Sequence, residues 1–183
     1  MAADGQPDET PAAYARRIAA IARELGIPAD YGAARRLELQ REARALLSVG
    51  PNPDGIDVKL EPGAAAAWTE LRQAAGAAGV ALLPISGFRS VARQVEIIRE
   101  KQAKGESLTE ILRLVAAPGY SEHHSGRAID IGTPGEPPLV EGFAATPAFA
   151  WLLAHARHYR FRLSFPRNNP HQIAFEPWHW CRF

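Results

Sequence analysis

The chain has 183 residues, 46% of them hydrophobic, which is enough for one well-buried core and a small helical prefix but not for two ordinary domains. Its 21 Lys and Arg nearly balance 20 Asp and Glu, leaving a net charge of +1, so no global field draws it to nucleic acid or to an anionic membrane. The single cysteine, Cys181, excludes an internal disulfide framework and any multi-cysteine zinc module, so a metal site here must use His and carboxylates.

The opening MAADGQPDET is acidic and has neither the basic nor the apolar region of an export signal, and no later run reaches the ~18 apolar residues of a spanning helix. Arg16-Arg17 leads into IAAIAREL, a charged amphipathic helix and not an export sequence. The expectation is a monomeric protein without membrane insertion, cytoplasmic by sequence.

Residues 1–11 are rich in Pro, Asp and Gly and are expected to be disordered. Over 12–25, Tyr14, Ile18, Ile21 and Leu25 recur at helical spacing, and Gly26-Ile27-Pro28 ends the helix. A second helix is expected over 32–48, carrying Leu37, Leu39, Leu46 and Leu47. This prefix, residues 12–50, reads as structural packing in preference to a lid. SVGPNPDGID at 48–57 is dense in turn formers and reads as a linker into the main body, residues 51–183.

A helix follows over 64–78, with Trp68 and Leu71 on one face, and then a short buried strand over 80–85, which Pro84 pushes towards a sheet edge or an early finish. Ser90 caps a helix to about Lys104, and Ser107-Leu-Thr-Glu110 is a capping box for a short helix to about Val115. Residues 117–121 are loop, and RAIDI at 127–131 alternates as a strand does. Thr146-Pro147 starts a helix over 147–158, and short strands are expected near 160–164 and 171–175. Together these elements predict an α+β domain, a small antiparallel sheet flanked by helices, behind an N-terminal helical prefix.

Three segments concentrate chemistry: SGFRS at 86–90, SEHHSGRAIDIG at 121–132 and FEPWHW at 175–180. Zinc in a hydrolase takes three ligands from His and carboxylates and leaves a fourth position for water. His123 or His124, Asp130 and His179 are the candidates. On a strand, Ala128 and Asp130 share one face, and a small neighbour leaves room for an ion beside the carboxylate. Glu176 precedes His179 by three residues across Pro177-Trp178, a turn that brings a second carboxylate beside the open position as a general base. Arg89, in a glycine-containing turn after a strand, is suited to hold a carbonyl oxygen as it gains charge. Each piece alone recurs by chance; their conjunction carries the reading.

These segments resemble the signatures of VanY-type D-alanyl-D-alanine carboxypeptidases, in the zinc peptidase superfamily that includes lysostaphin-type enzymes and the hedgehog domain. The pattern Ser-x-His-x-x-Gly-x-Ala-x-Asp is met by Ser121, His123, Gly126, Ala128 and Asp130, and it selects His123 over His124. Glu-x-Trp-His is met by Glu176, Trp178 and His179, and Ser-Gly-aromatic-Arg-Ser…Gln by Ser86, Gly87, Phe88, Arg89, Ser90 and Gln94. The likeness covers about residues 64–181.

The resemblance implies a hedgehog/D-Ala-D-Ala peptidase-like fold and one Zn²⁺ on His123, Asp130 and His179. Glu176 is then base and later proton donor, Arg89 polarises the carbonyl, and Ser121, Gln94 and Trp178 hold substrate. The implied reaction is hydrolysis of the terminal bond of D-Ala-D-Ala-ended peptidoglycan stem peptides or precursors, a substrate class that points to the cell envelope. Rival readings are an L,D-carboxypeptidase, an L-alanyl-D-glutamate endopeptidase of endolysin type, and a non-catalytic zinc-binding module, the last disfavoured by Glu176 and Arg89 together. Cys181 reads as a buried small hydrophobe, His155 and His158 as a solvated helix face, His171 as packing or hydrogen-bonding near the site, and His124 as a neighbour of the site or exposed.

Overall fold

The computed structural model describes residues 9–183. Thr10 accepts the Ala13 N–H on its side chain and Pro11 occupies the first helical position, which starts helix α1 at Pro11–Glu24. Its apolar stripe buries Tyr14 and Ile18. Of the disorder expected over 1–11, the first eight residues lie outside the described ones, and Pro11 is already helical.

The helix expected over 32–48 does not form. Helix α2 is a single turn, Tyr31–Ala34, and Arg36 at φ 52° turns the chain out of it. The chain then runs irregularly and extended, bonding sideways: Gln40 N–H donates to the Gly119 carbonyl at 2.7 Å and Ala43 N–H to the His124 carbonyl at 2.8 Å. The Leu37–Leu39 spacing of two suits this extended path better than a helix.

Nor is 48–57 a linker. Strands β1 (Leu47–Pro51) and β2 (Asp57–Leu60) pair antiparallel, with Leu47 opposite Leu60 and Ser48 opposite Lys59. The turn formers close this hairpin, the Asn52 side chain accepting the Asp54 and Ile56 N–H groups. Val58 and Leu60 alternate into the interior. The division expected at 50/51 therefore falls inside one hairpin.

Helix α3 (Pro62–Ala77) is capped by Glu61, which takes the Gly63 and Ala64 N–H groups at 2.9 and 2.7 Å. Then come β3 (Leu83–Ser86), α4 (Val91–Ala103) capped by Ser90, and α5 (Leu108–Leu114), where both capping-box bonds are made. Strand β4 (Ala128–Gly132), α6 (Pro147–His155), β5 (Phe161–Leu163) and β6 (His179–Arg182) complete the fold. The sheet order is β3-β4-β6-β5, antiparallel throughout, with Pro84 on the edge strand as its missing N–H requires. The strand expected at 171–175 is replaced by a turn: Gln172 sits at φ 53° and Ala174 N–H is taken by the Arg113 carbonyl. The returning strand is β6, made of the residues that carry His179.

The β4–β6 register sets Ile129 against Trp180 and Asp130 against His179, which divides the sheet into two faces. Ile129, Ile131 and Trp180 join Trp68 and Leu71 of α3 and Leu152 of α6 in the main core. Each such side chain contributes about 1.5–3 kcal/mol on burial, so Leu152→Ala should cost roughly 2–5 kcal/mol. Ala128, Asp130, His179 and Cys181 share the opposite face. A second cluster packs Leu25, Ile27 and Tyr31 of the prefix on Ile98 of α4 and Ile111 of α5. No helix among the described residues is long and apolar enough to cross a membrane.

Candidate active site

The site lies where β4 and β6 meet a short 3-10 turn, Glu122–Ser125, that Gly126 terminates at φ 67°. An added Cβ at Gly126 would sit 2.9 Å from the Glu61 nitrogen, so both its conformation and its space demand glycine. The turn aims His123 inward, β4 supplies Asp130, and β6 supplies His179. One ligand atom from each lies within 4.8 Å of the others, and all three residues are buried.

Hydrogen bonds decide which nitrogens face this point. His123 Nδ1 donates to the Gly87 carbonyl at 2.6 Å, which leaves Nε2, 3.3 Å from Asp130 Oδ2, with its lone pair inward. His179 Nε2 donates to Glu122 at 2.9 Å, and Nδ1 lies 3.1 Å from Asp130 Oδ1. The two rings meet edge to face with centroids 4.9 Å apart, and Phe165 lies against His179 at the same distance.

Glu176 is brought in by the turn anticipated across Pro177. Its carbonyl accepts the His179 N–H at 3.0 Å, its own N–H is held by Phe165, and the Trp178 carbonyl accepts from Ile131 N–H in β4. The Glu176 carboxylate stops 3.9 Å from His179 Nδ1, beyond hydrogen-bond range. Arg89 reaches the same cleft from the loop after β3, with its guanidinium bonded to the Gln94 amide oxygen at 3.1 Å and the Ser86 hydroxyl at 3.3 Å. Gln94 is fully buried, and its amide nitrogen is spent on the Ala116 carbonyl at 2.6 Å. Ser121 and Trp178 line the cleft, and the Ser121 side chain takes no part in capping the turn it precedes.

The cleft above these groups has a volume of about 580 Å³, and its outer wall includes the exposed Leu114, Leu139 and Val140. Its electrostatics divide the two glutamates. Burial pushes the Glu176 carboxyl up to about 7, with no hydrogen bond to oppose it. Burial acts the same way on Glu122, but the hydrogen bond and charge of His179, with Arg162 beyond, bring that carboxyl down to about 2. Asp130 is likewise held well below the usual carboxylate range, because His123 and His179 outweigh its burial. His179 resists burial through Asp130 and Glu122 and rises to about 10, whereas burial pushes His123 down.

Glu122 is the site residue that sequence reasoning missed; the one available signal was an acid beside His123 in a segment too short to hide it. His124 is fully buried, not exposed. Cys181 is buried opposite Ala128, outside the three-residue donor group, and burial raises its thiol pKa. His171 bonds the Arg35 carbonyl at 3.0 Å, and His155 lies against Trp151.

Residues 57–183 match the family described as VanY: D-alanyl-D-alanine carboxypeptidase. The putative carboxypeptidase YodJ of Bacillus subtilis is 36% identical over 120 residues, covering 63% of this chain and 43% of that protein. The chain spans about half the length of the curated relatives it matches. Among solved structures, the LdcB LD-carboxypeptidase aligns with a TM-score of 0.69 at 28% identity, over 77% of this chain and 69% of that one. VanYB in complex with D-alanine-D-alanine aligns at 0.62 and 27% identity, over 78% of each chain. Because the family match begins at β2 and runs through every residue gathered around Asp130, the chain belongs to the VanY family of D-alanyl-D-alanine carboxypeptidases.

Proposed function

We propose that the chain is a zinc-dependent carboxypeptidase that removes the terminal alanine from D-Ala-D-Ala-ended peptidoglycan stem peptides or precursors. The observation that carries this reading is the convergence of His123 Nε2, Asp130 and His179 Nδ1 on one buried point, with Glu176 held just outside it. The family, and the VanYB complex with D-alanine-D-alanine, support the substrate class.

The donor set fits zinc. Two imidazoles with one nitrogen each turned inward, His179 giving up its Nδ1 proton as metal binds, and one ionised carboxylate make a three-ligand site, and Glu122 and the Gly87 carbonyl fix the ring orientations from behind. When bound there, zinc supplies Lewis acidity towards a water molecule and towards the scissile carbonyl oxygen.

The chain's own groups account for the rest. Glu176, with a carboxyl that burial brings near neutrality, takes the proton of the attacking water and returns it to the departing amine. Arg89 binds the carbonyl oxygen as charge builds on it. Gln94, which lines the cleft and is bonded to Arg89 and Ala116, positions the guanidinium beside the substrate. Ser121 offers its hydroxyl to the substrate backbone or terminal carboxylate, and Trp178 forms the wall beside it.

The test is mass spectrometry of a pentapeptide stem ending in D-Ala-D-Ala, incubated with zinc-loaded and with chelated protein. Metal-dependent loss of one alanine is expected. The likeness to LdcB favours a second reading, and cleavage of a tetrapeptide stem in place of the pentapeptide would select it. An internal cut would mark an endopeptidase, and no cut in either peptide would leave a zinc-binding recognition module.

A further inference from the structure

Upstream of the family match, the extended segment 40–43 passes beside the loop that carries Arg89. Glu42 Oε1 accepts the N–H of Val91, the first residue of α4, at 2.7 Å, and Glu42 Oε2 lies 3.7 Å from Arg17 of α1. Ala43 N–H donates to the His124 carbonyl at 2.8 Å, and Gln40 N–H to the Gly119 carbonyl at 2.7 Å. The His124 ring closes the network. Its Nε2 accepts the Gly119 N–H at 3.1 Å, so Nδ1 carries the proton and donates to the Arg89 carbonyl at 2.6 Å.

Arg89 is thereby held on both sides of its backbone, its N–H by the His123 carbonyl at 3.2 Å and its C=O by His124. Its side chain is aimed by Gln94, which rides on the helix whose first N–H Glu42 holds.

We infer that Glu42 and His124 are positioning residues for Arg89, and that a segment outside the family-matched region sets the aim of its guanidinium. This rests on the role assigned to Arg89 above. A displacement of about 1 Å in a group that meets the transition state costs up to ~10²-fold in rate, and because Arg89 acts on developing charge, the loss falls on kcat.

The experiment uses the full-length, zinc-loaded chain and the D-Ala-D-Ala pentapeptide. Glu42→Ala and His124→Leu should lower kcat about 10–100-fold with KM changed less than about 2-fold. His124→Asn, whose amide nitrogen takes the place of Nδ1, should recover most of the rate. In an Arg89→Lys background the same substitutions should change kcat less than about 2-fold, because the group they aim is gone. Equal losses in both backgrounds would mean a merely structural role and would overturn the inference, as would an unchanged kcat. Should His124→Leu not fold, Glu42→Ala carries the same comparison from a partly exposed carboxylate.

A second readout does not depend on turnover. The Arg89 Nε–H resonance, identified by its loss in Arg89→Lys, should shift and broaden in Glu42→Ala and stay in place in His124→Asn and in the exposed control Arg93→Ala. If the wild type cleaves no peptide, the proposed activity fails, and this resonance alone decides whether the clamp exists. An unmoved signal in Glu42→Ala would refute it.

Discussion

The Nε2–H of His179 donates to the Glu122 carboxylate at 2.9 Å, and this bond turns the opposite nitrogen, Nδ1, towards Asp130 at 3.1 Å. Glu122 therefore selects the tautomer of His179 and raises the basicity of the nitrogen that faces the donor point. Glu122→Ala should weaken zinc binding roughly 10–100-fold. Glu122→Gln should weaken it less, since an amide oxygen still accepts the Nε2 proton. Competitive titration against a chromophoric chelator measures both, and wild-type affinity in Glu122→Ala would remove Glu122 from this role.

Glu176 ties the chemistry to stability. Burial raises its carboxyl from 4.5 to about 7, so the folded chain retains a proton that the unfolded chain releases above 4.5. The stability linked to that proton is full below 4.5 and is lost as pH rises through 7. Glutamine cannot ionise and escapes the loss. In chelator, Glu176→Gln should match the wild type at pH 4.5 and exceed it at pH 8 by on the order of 1–3 kcal/mol in urea unfolding. With zinc, the same variant should keep its metal and lose roughly 10²–10⁴-fold in kcat. An advantage already complete at pH 4.5 would refute the burial argument, and undiminished turnover would refute the catalytic one.

Where local chemistry decides an element, the sequence was legible. Ser90, Thr146-Pro147 and the Ser107–Glu110 capping box start their helices as read, and RAIDI forms the central strand. Where tertiary bonding decides, it was not. The segment 35–46 is helical by composition, but Arg36 leaves the helix and the carbonyls of Gly119 and His124 capture its backbone. The 48–57 turn formers were visible, but their strands were not, because the outward positions of β1 and β2 are polar or exposed. The residues around Asp130 could be named from their motifs. Their meeting depends on the Asp130–His179 register, which joins positions 49 residues apart and leaves no local trace.

Gly87 offers a test of how the hairpin supports the site. A Cβ there would lie 2.4 Å from the Lys59 carbonyl oxygen of β2, and the Gly87 carbonyl is the acceptor that orients His123. Because the clash is with backbone, relief must come from moving the loop. Gly87→Ala should therefore destabilise the fold by about 1–3 kcal/mol, as overpacking does, and should also weaken zinc binding by disturbing His123. Chemical denaturation and metal titration of one preparation check the two effects together. A loss of stability with unchanged affinity would show that the hairpin does not position His123.

Asp130 sits 3.3 Å from His123 Nε2 and 3.1 Å from His179 Nδ1, the anion between the two inward-facing ring nitrogens. Zinc that binds only the folded chain adds about 2.7 kcal/mol of stability at a free concentration of 100 times Kd. For a domain of this size that corresponds to a rise in Tm of roughly 5–10 °C. Asp130→Asn keeps the shape of the side chain and removes the negative charge that offsets the cation. Its thermal midpoint should respond little to zinc, whereas chelator should take the zinc-dependent rise away from the wild type. Scanning calorimetry with matched zinc and chelator series measures this. An equal zinc-dependent rise in Asp130→Asn would place the stabilising metal elsewhere in the protein and remove Asp130 from the donor set.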